Sequence, residues 1–507
     1  MDALLNLFSG IGNIFTAPLD IFLLVAGTAL GVLVGALPGL NSSITMAVLI
    51  PITYGMDPGA ALCLLAGIYT GSTCGGSISA ILLEIPGTGA AVVTAFDGYK
   101  MQRRGEGGLA LGITAVSSAV GGVIAAVVLC FGAPFIAEQA LKFAPPEYFA
   151  LCLMGFASVI GMSTGRISKN IMAILLGLLI SIIGISPQGG IKRFTFGFNV
   201  LLEGVPLVPM LIGLFGISAL LGVIADMKPL QRAGNAASIL KETAKRVRMA
   251  YPDKKMICSF LPIWMQSTVI GNIVGAIPGA GMTVAIFMAY DQVKRYRPDL
   301  KFGTGVPEGI AAVECANNSV VGSSMIPLLA LGVPGNAASA LFLGALLIQG
   351  LRTGPNFFVH SASVAYTLIA AFLLASILLI PVMHLFVNYC ATYVLSLKRE
   401  VLNGLILILC VTGAFTTGNN YQFIMIAVVF GIIGFILKKY EIPFGPLILS
   451  IVLGSMVESY YIGTMVMFRS NVMLIFSRPI CDVLLILAVI FLLMPICRAL
   501  RKRRKKA

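Results

Sequence analysis

Two short motifs occur twice in this chain, about half its length apart. The first motif, GALPG at Gly35 to Gly39, recurs as GAIPG at Gly275 to Gly279. The second motif, IPGTGAA at residues 85–91, recurs as VPGNAAS at residues 333–339. Each motif centres on a Pro-Gly pair, which interrupts a helix because proline lacks a backbone donor and glycine adds backbone freedom. The chain is therefore expected to contain two homologous halves with matching helix breaks.

The charges that flank these motifs are exchanged between the copies. After the first motif the first copy carries only Asp57, whereas the second copy carries Lys294, Arg295, Arg297 and Lys301. After the second motif the pattern reverses, with Lys100, Arg103 and Arg104 in the first copy and only Arg352 in the second. Lys and Arg at the ends of membrane spans favour the cytoplasmic side. The two halves should therefore face opposite ways, as in transporters with inverted repeats.

Composition places the chain in a membrane. It is 58% hydrophobic and 11% charged, and its apolar runs approach or exceed the ~20 residues that cross a bilayer as a helix. The runs do not alternate as barrel strands would, so the predicted class is an all-α polytopic membrane protein. No Lys or Arg precedes Lys100, so the N-terminus lacks the basic region of a signal peptide and should be retained.

Charge and cysteine content exclude several other classes. The net charge of +14 lies in short loops and in the tail Arg498 to Lys506, which indicates positive-inside topology and contact with anionic lipid, not nucleic-acid binding. The ten cysteines have no metal-ligand spacing and should be small buried hydrophobes. With two histidines, a histidine-rich metal or haem site is not expected, and no cofactor is predicted apart from a possible bound Na⁺.

Basic clusters taken as cytoplasmic give a path with four parts. Residues 1–226 form a first membrane repeat, 227–255 a cytoplasmic basic linker, 256–475 a second, inverted repeat, and 476–507 a final helix with a cytoplasmic basic tail. Hairpins bend at the first motif in each repeat, and discontinuous helices break at the second motif and at Gly75-Gly76. Lys192 and Arg193 do not fit, because this path puts them outside.

Small polar residues surround the predicted breaks. Helix segments that begin after each Pro-Gly would point the positive ends of their dipoles at one region, which suits an anion such as a carboxylate. Helix packing is the alternative for any single small residue. The predicted substrate-binding residues are Pro38, Gly39, Asn41, Ser42, Ser43, Thr45, Ser77, Gly87, Thr88, Pro278, Gly279, Thr283, Pro334, Gly335 and Asn336.

Ionisable and amide residues inside apolar segments are candidates for ion coupling, because they are costly in a bilayer. The predicted set is Glu84, Asn317, Asn318 and Ser319. The two asparagines are predicted as candidate ligands of Na⁺. Glu84 is expected to be the most interior carboxyl, either as a proton or Na⁺ carrier or as a structural carboxyl. Glu314 and Glu458 also lie in apolar surroundings, whereas Asp97 is expected at a solvated helix end.

The stretches Gly35 to Pro51, Gly71 to Gly98, Gly271 to Gly281 and Pro327 to Gly350 resemble the large membrane subunit of the tripartite tricarboxylate transporters, the TctA family. The resemblance implies import of a carboxylate delivered by a periplasmic solute-binding protein, a small four-helix membrane subunit as partner, and an ion gradient as energy source. It implies the bacterial inner membrane as location. One departure is Glu84, where the family often has an amide before the Pro-Gly.

Two other classes remain as alternatives. An anion or carboxylate channel would be expected to carry rings of Lys or Arg in its pore, and no basic residue lies inside an apolar run. An intramembrane enzyme would need a nucleophile with a nearby base, and neither His360 nor His384 lies near a Gly-rich serine. The sequence therefore favours a secondary-active importer of organic carboxylates over a channel or an enzyme.

Overall fold

The computed structural model describes residues 2–37, 42–84, 88–162, 166–187, 189–225, 247–391 and 399–504. These residues are almost entirely helical, and the two-residue strands β1 (Gly184–Ile185) and β2 (Lys192–Arg193) pair antiparallel. The helices in chain order are α1 (Asp2–Thr16), α2 (Pro18–Gly35), α3 (Ser42–Leu49), α4 (Pro58–Leu83), α5 (Thr94–Arg103), α6 (Gly107–Ala140), α7 (Pro145–Met162), α8 (Ile167–Ser181), α9 (Leu207–Ala225), α10 (Lys254–Ala276), α11 (Gly281–Tyr296), α12 (Pro307–Ser323), α13 (Met325–Leu331), α14 (Ala337–Ile348), α15 (Phe357–His360), α16 (Ala362–Cys390), α17 (Arg399–Thr416), α18 (Tyr421–Lys439), α19 (Phe444–Met467) and α20 (Pro479–Arg504).

Nine of these helices, within the described ranges, are long and apolar enough to cross a membrane. They are α2, α4, α6, α7, α9, α10, α16, α18 and α19. Large apolar side chains are exposed on their outer faces, as at Phe22, Phe131 and Phe135, where a bilayer would contact them. The predicted all-α polytopic membrane class is confirmed.

Helix α4 lies at the centre, and every residue from Ala60 to Leu82 is buried. It runs parallel to α2 at very short range, because glycines of each helix lie against the backbone of the other. A Cβ added at Gly31 would lie 2.6 Å from the carbonyl oxygen of Ile68, and one added at Gly67 would lie 2.6 Å from that of Leu24. Small residues let helices approach this closely in a membrane.

The predicted break at Gly75-Gly76 is wrong, because α4 continues through both residues to Leu83. The two glycines serve packing instead. An added Cβ at Gly75 would meet the backbone of Val32, and one at Gly76 would lie 2.7 Å from the side chain of Thr88.

A matching pair of helices lies in the second half. Helix α10 runs parallel to α12, and a Cβ added at Gly271 would lie 2.6 Å from the carbonyl oxygen of Ala316. Gly31 and Gly271 each lie four residues before the glycine that opens the first motif. The close pairs α2–α4 and α10–α12 therefore lie at the same position relative to the two copies of the first motif.

Helices α4 and α12 contact each other and run antiparallel. Near the end of α4 the Ser77 hydroxyl donates to Glu314 Oε1 at 2.6 Å, whereas the hydroxyl of Tyr69, two turns earlier, lies 3.4 Å from Ser324 Oγ at the far end of α12. The helical path after α12 is interrupted. Helix α13 ends at Leu331, Gly332 follows with φ +74°, and α14 begins at Ala337. The predicted interruption around Pro334 is confirmed.

Arg193 and Glu458, which are 265 residues apart in sequence, form an ion pair. Arg193, which did not fit the predicted path, donates two hydrogen bonds to the Glu458 carboxylate at 2.8 and 2.9 Å. This bidentate pair neutralises the positive charge of Arg193, which the positive-inside rule would otherwise place on the cytoplasmic side. The guanidinium therefore does not act as a free cation at that end of the bundle.

The expectation for Asp97 as a solvated helix end is wrong. Its side chain is 1% exposed, and Oδ1 accepts the backbone N–H groups of Gly303, Gly305 and Val306 at 2.8 to 2.9 Å. Tyr290 donates to Oδ2 at 2.8 Å. Asp97 therefore fastens α5 to the loop that precedes α12.

Several predicted positions lie outside the described residues. They are Pro38 and Gly39 in the first motif, Asn41 just after it, Pro86 and Gly87 in the second motif, and 227–246 of the basic linker.

Candidate functional site

One cavity of about 280 Å³ is lined by three of the four motif copies and by Ser42 and Ser43, which follow the first copy of the first motif. Its walls come from the start of α3, the turn at Thr88 to Ala90, the start of α11 and the start of α14, closed by α4, α7 and α19. The predicted substrate-binding residues that line it are Ser42, Ser43, Thr88, Gly279, Thr283, Pro334 and Asn336. Residues that are distant in sequence are thus brought to a single site.

The helix starts give the cavity its polarity. Helices α3, α11 and α14 begin at Ser42, Gly281 and Ala337, and all three N-terminal ends line the cavity. The first N–H groups of a helix lack partners within the helix, and the helix dipole adds partial positive charge there. No Lys or Arg is present among the described lining residues. The arrangement favours an anion bound by backbone and hydroxyl groups.

Asn336 is the most constrained polar side chain of the cavity. Its Oδ1 accepts the N–H of Ser339 at 2.9 Å while the Ser339 hydroxyl accepts the Asn336 N–H at 2.8 Å, forming a capping box. Its Nδ2 donates to the hydroxyl of Tyr69 at 2.9 Å. This network ties the start of α14 to α4.

The second-copy breaks are joined directly, since the Gly279 N–H donates to the carbonyl oxygen of Gly335 at 2.8 Å. The Pro278 carbonyl accepts the hydroxyl of Ser158 on α7. Thr88 faces the cavity, and its buried Oγ1 has no partner within the described part of the chain. A buried hydroxyl without a partner calls for water or a ligand.

Four other predicted substrate residues that the structure describes do not line the cavity. Thr45 is buried on α3, and Ser77 bonds to Glu314. The Pro278 carbonyl accepts from Ser158 on α7, and the Gly335 carbonyl accepts the Gly279 N–H of the neighbouring break. These positions support the walls and do not form them.

Several lining residues were not selected from the sequence. They are Thr73, Val159, Met282, Gly445, Pro446 and Leu449. Thr73 lies 3.3 Å from Ser42, hydroxyl to hydroxyl, and its place among small polar residues of α4 was the one available signal. Val159 and Leu449 are ordinary apolar residues of α7 and α19, so nothing in their sequence context marks them.

The interior carboxyl is Glu314 and not Glu84. Glu314 is 0% exposed and lies on α12. Oε1 accepts the hydroxyls of Ser77 and Thr94, and Oε2 accepts that of Ser118 at 3.2 Å. Glu84 is an exposed residue at the end of α4 with φ +59°, so the expectation that it is the most interior carboxyl is wrong.

The predicted ion-coupling amides lie on the same helix as Glu314. Asn317 and Asn318 are 0% exposed, and Asn317 Oδ1, Asn317 Nδ2 and Asn318 Oδ1 have no hydrogen-bond partner within the described residues. Ser319 differs, since its hydroxyl donates to the carbonyl oxygens of Cys315 and Gly121 at 2.8 and 3.2 Å. The Oδ1 atoms of both asparagines are therefore open to a ligand, although Asn318 Nδ2 donates to the Glu314 carbonyl oxygen at 3.5 Å. Ser319 instead holds α12 against α6.

Comparison with known proteins decides the family. The model of the tripartite tricarboxylate transporter TctA family matches residues 21–449. The chain belongs to the TctA family. Every cavity-lining residue and Glu314 fall within the matched region, whereas α20 lies beyond it.

The curated relatives of this TctA-family chain have no assigned activity. An "uncharacterized 52.8 kDa protein in TAR-I ttuC' 3'region" of Agrobacterium vitis is 33% identical over 512 residues, covering 100% of this chain and 99% of the relative. An "uncharacterized protein in TAR-II ttuC' 3'region" of the same organism is 29% identical over 239 residues, covering 46% of this chain and 97% of the relative. No solved structure matches the chain.

Proposed function

We propose that this chain is the large transmembrane subunit of a tripartite, binding-protein-dependent secondary transporter that imports organic dicarboxylates or tricarboxylates. Its partners are a small four-helix membrane subunit and a periplasmic solute-binding protein, and a Na⁺ or H⁺ gradient drives uptake. The chain lies in the bacterial inner membrane with its C-terminus in the cytoplasm. Membership of the TctA family supports the transport role and the three-part assembly.

The observation that carries the proposal is the single cavity at which the motif copies meet. Three helix N-termini face it without a basic side chain among the described lining residues, which suits carboxylate groups held by N–H and hydroxyl donors. A volume of about 280 Å³ is close to the lower end of small-molecule sites, about 300–1,000 Å³. A small carboxylate is therefore the substrate class that fits.

Alternating access follows from the inverted arrangement. Residues 1–226 and 256–475 are the two repeats, joined by 227–255, and the antiparallel contact of α4 with α12 supports their opposite orientation. Rocking of one repeat against the other around a fixed midplane site would expose the cavity to each side in turn. Carboxylate binds at the cavity, and Asn317, Asn318, Ser319 and Glu84 are the proposed ion-coupling residues.

Substitution of Asn336 tests the cavity. Asp is as good an N-cap as Asn, so Asn336→Asp keeps the acceptor for Ser339 N–H but places a negative charge at the cavity wall. We expect binding of citrate or succinate to the purified chain to weaken at least tenfold, which equals ~1.4 kcal/mol, because like charges in a desolvated site repel. Isothermal titration calorimetry measures the loss.

Asn420→Asp is the matched control. Asn420 is the N-cap of α18 and accepts the Gln422 N–H at 2.9 Å, and it does not line this cavity. The control should bind carboxylate like the parent chain. Equal binding by the Asn336→Asp chain, with its fold intact by thermal unfolding, would exclude the cavity as the carboxylate site.

A further inference from the structure

We propose that Glu314 is the charge-bearing ligand of a buried Na⁺ site, completed by the amide oxygens of Asn317 and Asn318. The inference rests on the proposed function in one respect, the need for a coupling ion, and it assigns that ion a site distinct from the carboxylate cavity. The site lies where α4, α5 and α6 of the first half meet α12 of the second.

The first step of the argument is charge balance. Three hydroxyls, from Ser77, Thr94 and Ser118, lie within hydrogen-bond distance of the Glu314 carboxylate oxygens, which leaves about one of the four lone-pair sites of a carboxylate for a further ligand. No Lys, Arg or His within the described residues forms an ion pair with this side chain. A buried carboxylate without a countercharge is strongly disfavoured in a membrane protein. The Glu314 carboxyl therefore either binds a metal cation or carries a proton.

The second step distinguishes Na⁺ from a proton. Positions 314, 317 and 318 share one face of α12, because residues three and four apart are neighbours on a helix. On that face Asn317 and Asn318 are fully buried, and their Oδ1 atoms lack partners. A proton on Glu314 would leave those oxygens unsatisfied, whereas a hard cation takes several oxygen ligands at once.

The third step is coupling. Glu314 belongs to the second half, while its hydroxyl partners belong to α4, α5 and α6 of the first half. Thr88, which lines the carboxylate cavity, packs against Gly76, the neighbour of Ser77 on α4. A cation at Glu314 would thus hold the two halves together beside Ser77, whose neighbour Gly76 contacts the cavity-lining Thr88.

Trp264 provides a direct readout. It is the single tryptophan of the chain, and its indole N–H donates to Ser117 Oγ at 3.0 Å, next to the Ser118 that bonds Glu314. The experiment titrates the purified full-length chain with NaCl, at ionic strength held constant with choline chloride, and follows tryptophan fluorescence. We expect a saturable change that KCl does not reproduce.

The variants are chosen by charge and position. Glu314→Gln should raise the half-saturating Na⁺ concentration at least about tenfold, the scale on which loss of a metal-site contact acts. Glu308→Gln, on the first turn of the same helix and beside Arg297 at 4.0 Å, is the control and should titrate like the parent. If Glu314→Gln does not fold, Asn317→Ala with Asn318→Ala tests the site with the carboxyl retained and should give a similar shift.

Two outcomes would overturn the assignment. One is a folded Glu314→Gln chain that responds to Na⁺ like the parent. The other is the same Glu314-dependent signal produced by pH alone in Na⁺-free buffer, since the bound cation would then be a proton. No carboxylate is present in these titrations, so failure here leaves the cavity proposal standing, and that proposal fails separately through Asn336→Asp.

Discussion

Glu84 follows the last residue of α4 and Gly332 follows that of α13, and each lies two residues before the proline of the second motif. Both adopt the left-handed conformation, with φ +59° and +74°. This conformation is free for glycine and costs an L-residue roughly 1–2 kcal/mol. We therefore expect Glu84→Gly to raise the free energy of unfolding by about 1 kcal/mol, measured by thermal unfolding of the detergent-solubilised chain.

The reverse change at the equivalent position is its control. Gly332→Ala should lower stability by a similar amount, and space is not the reason, because the nearest atom to an added Cβ is Thr353 Oγ1 at 3.5 Å. A lower unfolding temperature for Glu84→Gly would show that the carboxyl makes a stabilising contact. Loss of ion-driven uptake in a chain that is more stable would instead support the coupling role for Glu84.

Glu84 and Glu314 show how far the burial of a carboxyl group can be predicted from its position in the sequence. Glu84 was ranked as interior because it lies beside a predicted break, yet a helix end is where a side chain can reach the surface. Glu314 lies in the middle of α12, and its burial depends on α4, α5 and α6, which approach it from 196 to 237 residues away. Distance from a motif in sequence could not predict which carboxyl the bundle encloses.

At the scale of helices, the contact between α2 and α4 depends on the absence of side chains. Gly31→Ala would bring a Cβ to 2.6 Å from the Ile68 carbonyl oxygen, and backbone cannot move aside cheaply. Overpacking of this kind costs about 1–3 kcal/mol. We expect a matching fall in the free energy of unfolding, measured by thermal unfolding in detergent.

Gly12→Ala on α1 is the control for Gly31→Ala. It measures the effect of helix propensity on stability without any clash of packing. A Cβ at Gly12 meets nothing within 4 Å, so this change should be neutral or stabilise by up to about 1 kcal/mol, the propensity difference between Gly and Ala. Equal effects of the two substitutions would mean that α2 and α4 are not in close contact.

Helix breaks differ in how well the sequence alone predicts them. The interruption around Pro334 was identified correctly, because proline alters the backbone of its own helix whatever surrounds it. The break at Gly75-Gly76 was predicted wrongly, since glycine is equally suited to a kink and to close packing, and only the partner helix distinguishes them. The cavity walls from α7 and α19 were missed for a related reason, because Val159 and Leu449 gain their place from tertiary packing alone.

At the scale of the whole molecule, the relative direction of α4 and α12 connects sequence with mechanism. The two helices hold equivalent places in the repeated pattern and yet run antiparallel, which agrees with the exchange of basic residues between the copies. If the halves are inverted in the membrane, residues 57 and 295 lie on opposite faces. Single cysteines at these exposed positions, Asp57→Cys and Arg295→Cys, test this directly.

The background for that experiment replaces Cys258, Cys390 and Cys497 with Ser, because the first two are exposed and the third lies near the C-terminal tail. An impermeant thiol reagent added to intact cells should label the cysteine at 57 and should reach the cysteine at 295 only after the membrane is permeabilised, since basic flanks stay inside. Labelling of both from the same face would mean that equivalent helices share one orientation. The antiparallel contact of α4 with α12 would then join elements that are not repeats of each other, and alternating access by two inverted halves would lose its structural basis.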